Sequence, residues 1–163
     1  LYAAICIALA SVVTERRRAV AVGVLVAWHC VSSLVAYPSY LSYFNETIGS
    51  HRNADRFLID SNLDWGQDLR RLKLWCDANQ VDFILLDYFG AGEPAYEFGK
   101  RAARFSAPSR RLLPTGWFAV SRHFYRVSFD PRESPVDYDT YLAASNAKYV
   151  TTIGGSIDVY RVD

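Results

Sequence analysis

Apolar and polar positions are unevenly distributed along the chain. Leu1 to Val13 (LYAAICIALASVV) carries no charge, Thr14-Glu15-Arg16-Arg17-Arg18 interrupts, and a second uncharged run extends from Ala19 to Ala36. At the helical rise the second run reaches about 27 Å, close to the ~30 Å hydrocarbon core of a bilayer. Val20, Val22, Val24, Leu25, Val26 and Val31 surround such a helix on every side, so a soluble protein would need a large partner surface to cover it. A signal peptide fits poorly, because an apolar run precedes the arginines. The reading is residues 1–13 as a truncated span, 14–18 as a cytoplasmic turn and 19–36 as a complete span. Short Arg-rich loops stay inside, so residues 37–163 are expected outside as an extracytoplasmic domain. Tyr37, Tyr40, Tyr43 and Phe44 follow where a helix would leave the bilayer.

The pattern then changes to that of an α/β domain. Arg56 to Asp60 reads as a short strand. Asp64 to Asn79 reads as a helix with Trp65, Leu69, Leu72 and Cys76 on one face. Val81 to Phe89 is a continuous apolar strand, as expected when both faces of a sheet are covered. Strand, helix and strand in that order predict a βαβ unit with parallel strands. Tyr96 to Arg104 is expected as a short helix and Gly116 to His123 as a third strand. A further helix follows Pro135, with Asp137 as N-cap and Tyr138, Tyr141, Leu142 and Ser145 on one side. Tyr149 to Ile153 and Ser156 to Val162 flank Gly154-Gly155, a two-residue hairpin signal. The expected fold is therefore N-terminal transmembrane helices followed by a compact α/β domain with a mixed, partly parallel sheet and a C-terminal β-hairpin.

Composition removes several function classes. With 18 basic and 17 acidic residues the net charge is +1, which gives no electrostatic footprint for nucleic acid. Hydrophobic residues make up 51% and charged residues 21%, so the chain is not disordered by composition. Methionine is absent and the chain begins at Leu1 inside an apolar run, the expectation for a piece of a longer polypeptide. Cys6 and Cys30 lie in the expected spans and Cys76 is alone in the domain, so no disulfide framework is available there. Asn45-Glu46-Thr47 is a formal glycosylation sequon on the expected outer side.

The densest polar constellation is Asp60-Ser61-Asn62-Leu63-Asp64-Trp65-Gly66-Gln67-Asp68, between the first expected strand and the first domain helix. The C-terminal ends of parallel strands and the N-termini of helices are where α/β folds hold ligands. Helix capping by Asn62 or Asp64 is the plainer account of part of it. Asp60, Asn62 and Asp64 also follow the first half of a calcium loop. The match breaks at Trp65, where glycine belongs, and at Arg71, where the bidentate Glu belongs. A divalent cation there has weak support, and no other cofactor is expected. Asp137-Tyr138-Asp139 matches an Asp-x-Asp pattern, but its position after Pro135 favours capping. Gly90-Ala91-Gly92 lacks the third glycine of a dinucleotide fingerprint. Solitary His51 and His123 give zinc no support. Between Glu97 and Asp130 there is no acid, while Lys100, Arg101, Arg104, Arg110, Arg111, Arg122 and Arg126 are basic. This is either a solvated face or a surface for lipid phosphates and anionic substrates.

In the order apolar span, Tyr37-Pro38-Ser39-Tyr40-Leu41-Ser42-Tyr43-Phe44-Asn45-Glu46, Asp60 to Asp68, then Gly154 to Val162, the chain resembles the C-terminal part of bacterial polytopic glycosyltransferases. These are the protein-mannosyltransferase-like and aminoarabinose-transferase-like (GT-C type) group, and the likeness covers nearly the whole chain. The resemblance implies an integral membrane enzyme of the bacterial inner membrane, with a polyprenyl-phosphate-linked sugar as donor on the outer face. It also implies catalytic carboxylates in a first outer loop near the N-terminus, which nothing in this chain matches, so no catalytic residue is assigned. The partners expected are membrane lipid, the lipid-linked sugar and the rest of the same polytopic chain. Asp60, Asn62, Asp64, Trp65, Gln67, Asp68, Asp87 and Tyr88 are candidate substrate-binding residues, because aromatic faces and hydrogen-bonding groups suit sugars. Lys100, Arg101, Arg104, Arg110 and Arg111 are candidate lipid-phosphate contacts. The competing class is a non-catalytic, membrane-anchored module that binds a glycan or a partner.

Overall fold

A computed structural model of the chain describes residues 16–40, 43–44, 65–105, 112–127 and 137–163. The chain divides into two units, Leu1–Tyr40 and Leu41–Asp163.

The described part of the first unit is helix α1, Arg16–Ala36. Its 21 residues span about 32 Å, and its apolar window has a mean hydropathy of 2.0, so it is long and apolar enough to cross a membrane. Val20, Val24, Leu25, Trp28, Val31 and Leu34 are all exposed, and together they leave no polar face for water. The helix starts earlier than expected. Arg16, Arg17 and Arg18 belong to the helix rather than to a connecting turn, because arginine is a good helix former. Pro38 cannot extend the helix and disfavours a helical residue before it, so α1 ends at Ala36. The expected span at 1–13 and the sequon at Asn45 lie outside the described residues.

The second unit is built on a mixed sheet of five strands in the order β2-β1-β3-β5-β4. The strands are β1 Ile84–Asp87, β2 Ala102–Arg104, β3 Gly116–Ser121, β4 Lys148–Ile153 and β5 Ile157–Val162. β1 runs parallel to β2 and β3, whereas β5 is antiparallel to both β3 and β4. Helices α2 (Leu69–Ala78) and α3 (Pro94–Phe98) pack on one face, and α4 (Arg122–Val127) and α5 (Tyr138–Ala144) on the other. The two-residue period of the strands divides the core accordingly. Ile84, Leu86, Ala119, Ile157 and Val159 meet Leu69, Leu72 and Cys76 of α2. Phe118, Val120, Tyr160 and Val162 meet Tyr138 and Leu142 of α5, together with Phe105. Burial on both sides is why Ile84-Leu85-Leu86 reads as an apolar run, although the strand expected over Val81 to Phe89 is confined to Ile84–Asp87.

Several boundaries differ from expectation. α2 begins at Leu69, because Gly66 takes a left-handed φ of +87° that no helix residue can hold. Trp65 therefore stands outside the helix, and its ring is exposed instead of continuing the apolar face. The expected helix at 96–104 divides in two. Pro94 at the first helical position starts α3 earlier, Gly99 at φ +58° ends it, and after a short 3-10 turn Ala102–Arg104 pairs with β1. At the end of β3, Arg122 and His123 belong to α4 rather than the strand. Asp137 caps α5, with its Oδ1 accepting the Thr140 N–H at 3.3 Å. β4 and β5 are joined through Gly154, Gly155 and Ser156, where both glycines have positive φ, +60° and +92°. The expected strand at 56–60, and with it the first limb of the βαβ unit, lies outside the described residues.

Candidate functional site

The C-terminal end of β1 presents Asp87, Tyr88 and Phe89, and successive side chains leave it on opposite faces. Tyr88 turns toward α2 and is only 2% exposed. Its phenol lies among three glycines. A Cβ on Gly66 would stand 1.8 Å from Tyr88 Oη, one on Gly92 2.9 Å from the same atom, and one on Gly90 2.6 Å from the Gly66 Cα. Glycine is thus what lets the 65–68 and 89–92 loops close over Tyr88. Asp87 turns the other way, where its Oδ2 accepts the Tyr138 hydroxyl. Burial holds the Asp87 carboxyl above the usual carboxylate range, against the opposing pull of Tyr138 and Arg104. Asp87 and Tyr88, expected to act together, do not converge.

The polar run before α2 also separates by role. Asp68 is 0% exposed. Arg71 Nη1 donates to its Oδ1 at 2.7 Å and Ser156 Oγ to its Oδ2 at 2.8 Å. Trp65 is 58% exposed, and its backbone N–H donates to Gln67 Oε1 at 2.7 Å. The Trp65 ring thus faces solvent, whereas Gln67 is engaged by the Trp65 backbone, and the Asp68 carboxylate is engaged within the fold. Asp60, Asn62 and Asp64 lie outside the described residues. Among the described residues no group of three or more His, Cys, Asp or Glu side chains is placed to hold a metal ion.

Beside this loop is an open groove of about 440 Å³. Leu69 and Arg70 of α2 line it with Gln67 before them, Tyr96 and Glu97 of α3 line it with the N-cap Glu93, and Gly66 and Gly92 lie between. Tyr96 is 88% exposed and stands as an aromatic wall. Arg70, Glu93, Tyr96 and Glu97 were not singled out by sequence reasoning. The available signal was Glu93 directly before Pro94, an acid at the cap of a helix that opens on proline, with Glu97 in its first turn.

The basic stretch is dispersed by the fold. Arg101 Nη1 donates to Asp77 at 2.6 Å and Nη2 to the Val81 carbonyl at 2.7 Å. Lys73 reaches the same Asp77, and the two cations hold its carboxyl below the usual range. Arg122 Nε spans Asp158 at 3.1 and 3.2 Å, and its Nη2 donates to Thr152 at 3.2 Å. Arg126 lies over the Tyr125 ring, 5.7 Å from its centroid. Lys100 and Arg104 are exposed, and Arg110 and Arg111 lie outside the described residues. His123, at the start of α4, stacks on Phe89 with ring centroids 4.0 Å apart. Cys76 is buried, which pushes its thiol up to about 11 and leaves it protonated and unreactive at neutral pH.

No family model matches the chain, and neither a curated protein nor a solved structure does.

Proposed function

We propose that the chain is the C-terminal portion of an integral-membrane glycosyltransferase that takes a sugar from a polyprenyl-phosphate donor on the outer face of the bacterial inner membrane. In this reading α1 is one of its spans, and residues 37–163 are an extracytoplasmic domain that positions substrate. The observation that carries it is the groove between α2 and α3. A pyranose offers an apolar face and a rim of hydroxyls. Tyr96 supplies a ring for the face, while Gln67, Arg70, Glu93 and Glu97 supply donors and acceptors for the rim. Exposed Lys100 and Arg104 supply cations for the lipid phosphate. Asp68 and Asp87 are held by Arg71, Ser156 and Tyr138, an arrangement suited to support rather than to proton transfer.

The test is sugar transfer by the whole protein in proteoliposomes supplied with polyprenyl-phosphate-linked hexose. Tyr96→Ala should raise the KM for the lipid-linked sugar roughly five-fold, from an aromatic contact worth about 1 kcal/mol, and leave kcat nearly unchanged. No transfer by the wild type, with glycan binding retained, would favour the non-catalytic module instead. Transfer unaffected by Tyr96→Ala and Arg70→Ala would remove the groove from the reaction.

A further inference from the structure

Asp68 occupies the N-cap position of α2 but does not cap it. Its side chain makes no hydrogen bond to the helix backbone, and at φ −97° and ψ 0° it lacks the extended conformation of a capping residue. The carboxylate is instead driven into the interior, against the turn between β4 and β5. Ser156, 88 positions later in the chain, donates to it at 2.8 Å. The Gly154 backbone is so close that a Cβ there would lie 1.9 Å from Asp68 Oδ1. The Arg71 guanidinium completes the pairing at 2.7 Å. Burying a carboxylate is costly unless charge and hydrogen bonds compensate it, so this side chain has one well-defined position. Two residues earlier, Gly66 is wedged against Gly90 and the Tyr88 phenol. The segment between these anchors carries Gln67, which lines the groove and holds the Trp65 backbone.

We infer that Asp68 is the positioning residue of the groove, fixing the Gly66–Gln67 wall, to which Trp65 is hydrogen-bonded, by tying it to the Gly154–Ser156 turn. The terminal strands thereby act on a site to which they contribute no lining residue. Calling that site a sugar groove rests on the proposed function, whereas the positioning itself does not depend on any ligand.

The experiment is fluorine NMR of the full chain in detergent micelles, labelled with 5-fluorotryptophan, with the Trp65 signal assigned through Trp65→Phe. Trp75 and Trp117, half-buried and packed against the core, meet edge-on with centroids 5.4 Å apart and report on the fold. Asp68→Asn and Ser156→Ala should each shift and broaden the Trp65 signal while those of Trp75 and Trp117 stay in place. An unmoved Trp65 signal in both variants overturns the inference. So does joint movement of all three signals, which would mean general loosening. Where Asp68→Asn fails to fold, Ser156→Ala decides by the same criterion. Absence of sugar transfer or sugar binding would leave this result standing, so the two readings fail separately.

Discussion

The Tyr138 hydroxyl donates to Asp87 across 51 positions of the chain, joining the first turn of α5 to the C-terminal end of β1. Tyr138 is itself buried, stacked on Phe118 and in contact with Phe105, so the donor end of the bond is shielded from water. Removing the hydroxyl should leave a half-buried carboxyl short of its donor. Tyr138→Phe is therefore expected to cost about 1–3 kcal/mol of unfolding free energy, read by urea denaturation. Asp87→Asn, which can still accept from the phenol, should cost less.

The same carboxyl predicts a pH dependence. Its folded pKa lies above the unfolded value of roughly 3.9, so the folded state binds the proton more readily. The stability it contributes is fully present below that unfolded value and is lost as pH rises through the folded one. Asp77, Asp137 and Asp163 act in the opposite sense, because Lys73 and Arg101, Thr140, and Lys148 hold their carboxyls low. Their contribution is present above the unfolded value and is lost as pH falls through their folded values. Asp87→Asn should therefore gain stability relative to the wild type as pH is raised from 4 to 7, measured by denaturation at each pH. A difference independent of pH would contradict the burial assigned to Asp87.

Gly66 should tolerate no side chain. Its φ of +87° is unfavourable for an L residue, and a Cβ would overlap Tyr88 Oη. Gly66→Ala is expected to lower stability by about 1–3 kcal/mol from backbone strain, before the clash is added. Combining it with Tyr88→Ala should recover the clash but not the strain, so the double variant should remain below Tyr88→Ala alone. A thermal melt of the four proteins reads the comparison.

What could be read in the sequence follows from how local its cause is. Asp137 as a cap and the apolar strand at Ile84 to Leu86 were legible, because a cap is set within three residues and a strand covered on both faces is apolar on both. β2 was not, since Ala102-Ala103-Arg104 has no strand pattern and owes its conformation to the parallel partner β1. Asp68 looked like a ligand-binding group because Ser156 and Gly154, which claim it, come so much later in the chain. The groove was hidden for a related reason. Arg70 and Glu97 lie on different helices and become neighbours only after the chain has passed through β1. The acid-free basic stretch was legible as charge but not as a surface, because Asp77 and Asp158, which neutralise parts of it, fall outside the stretch.

That dispersal separates the basic residues experimentally. Under the proposed function the exposed Lys100 and Arg104 meet the lipid phosphate, so replacing either with Ala should weaken binding of polyprenyl phosphate to the nanodisc-embedded protein. A cation near an anionic lipid surface is worth about 1 kcal/mol, which sets the expected loss at roughly five-fold for each. The loss should shrink as salt is raised, because exposed charges are screened. Arg101→Ala should behave differently. Its guanidinium holds both Asp77 and the Val81 carbonyl, tying the end of α2 to the chain entering β1. The expected outcome is a lower melting temperature with little change in lipid-phosphate affinity at a temperature where the variant is folded. Equal losses of affinity for all three variants would mean that Arg101 leaves Asp77 to meet the lipid, and would restore it to the phosphate contacts.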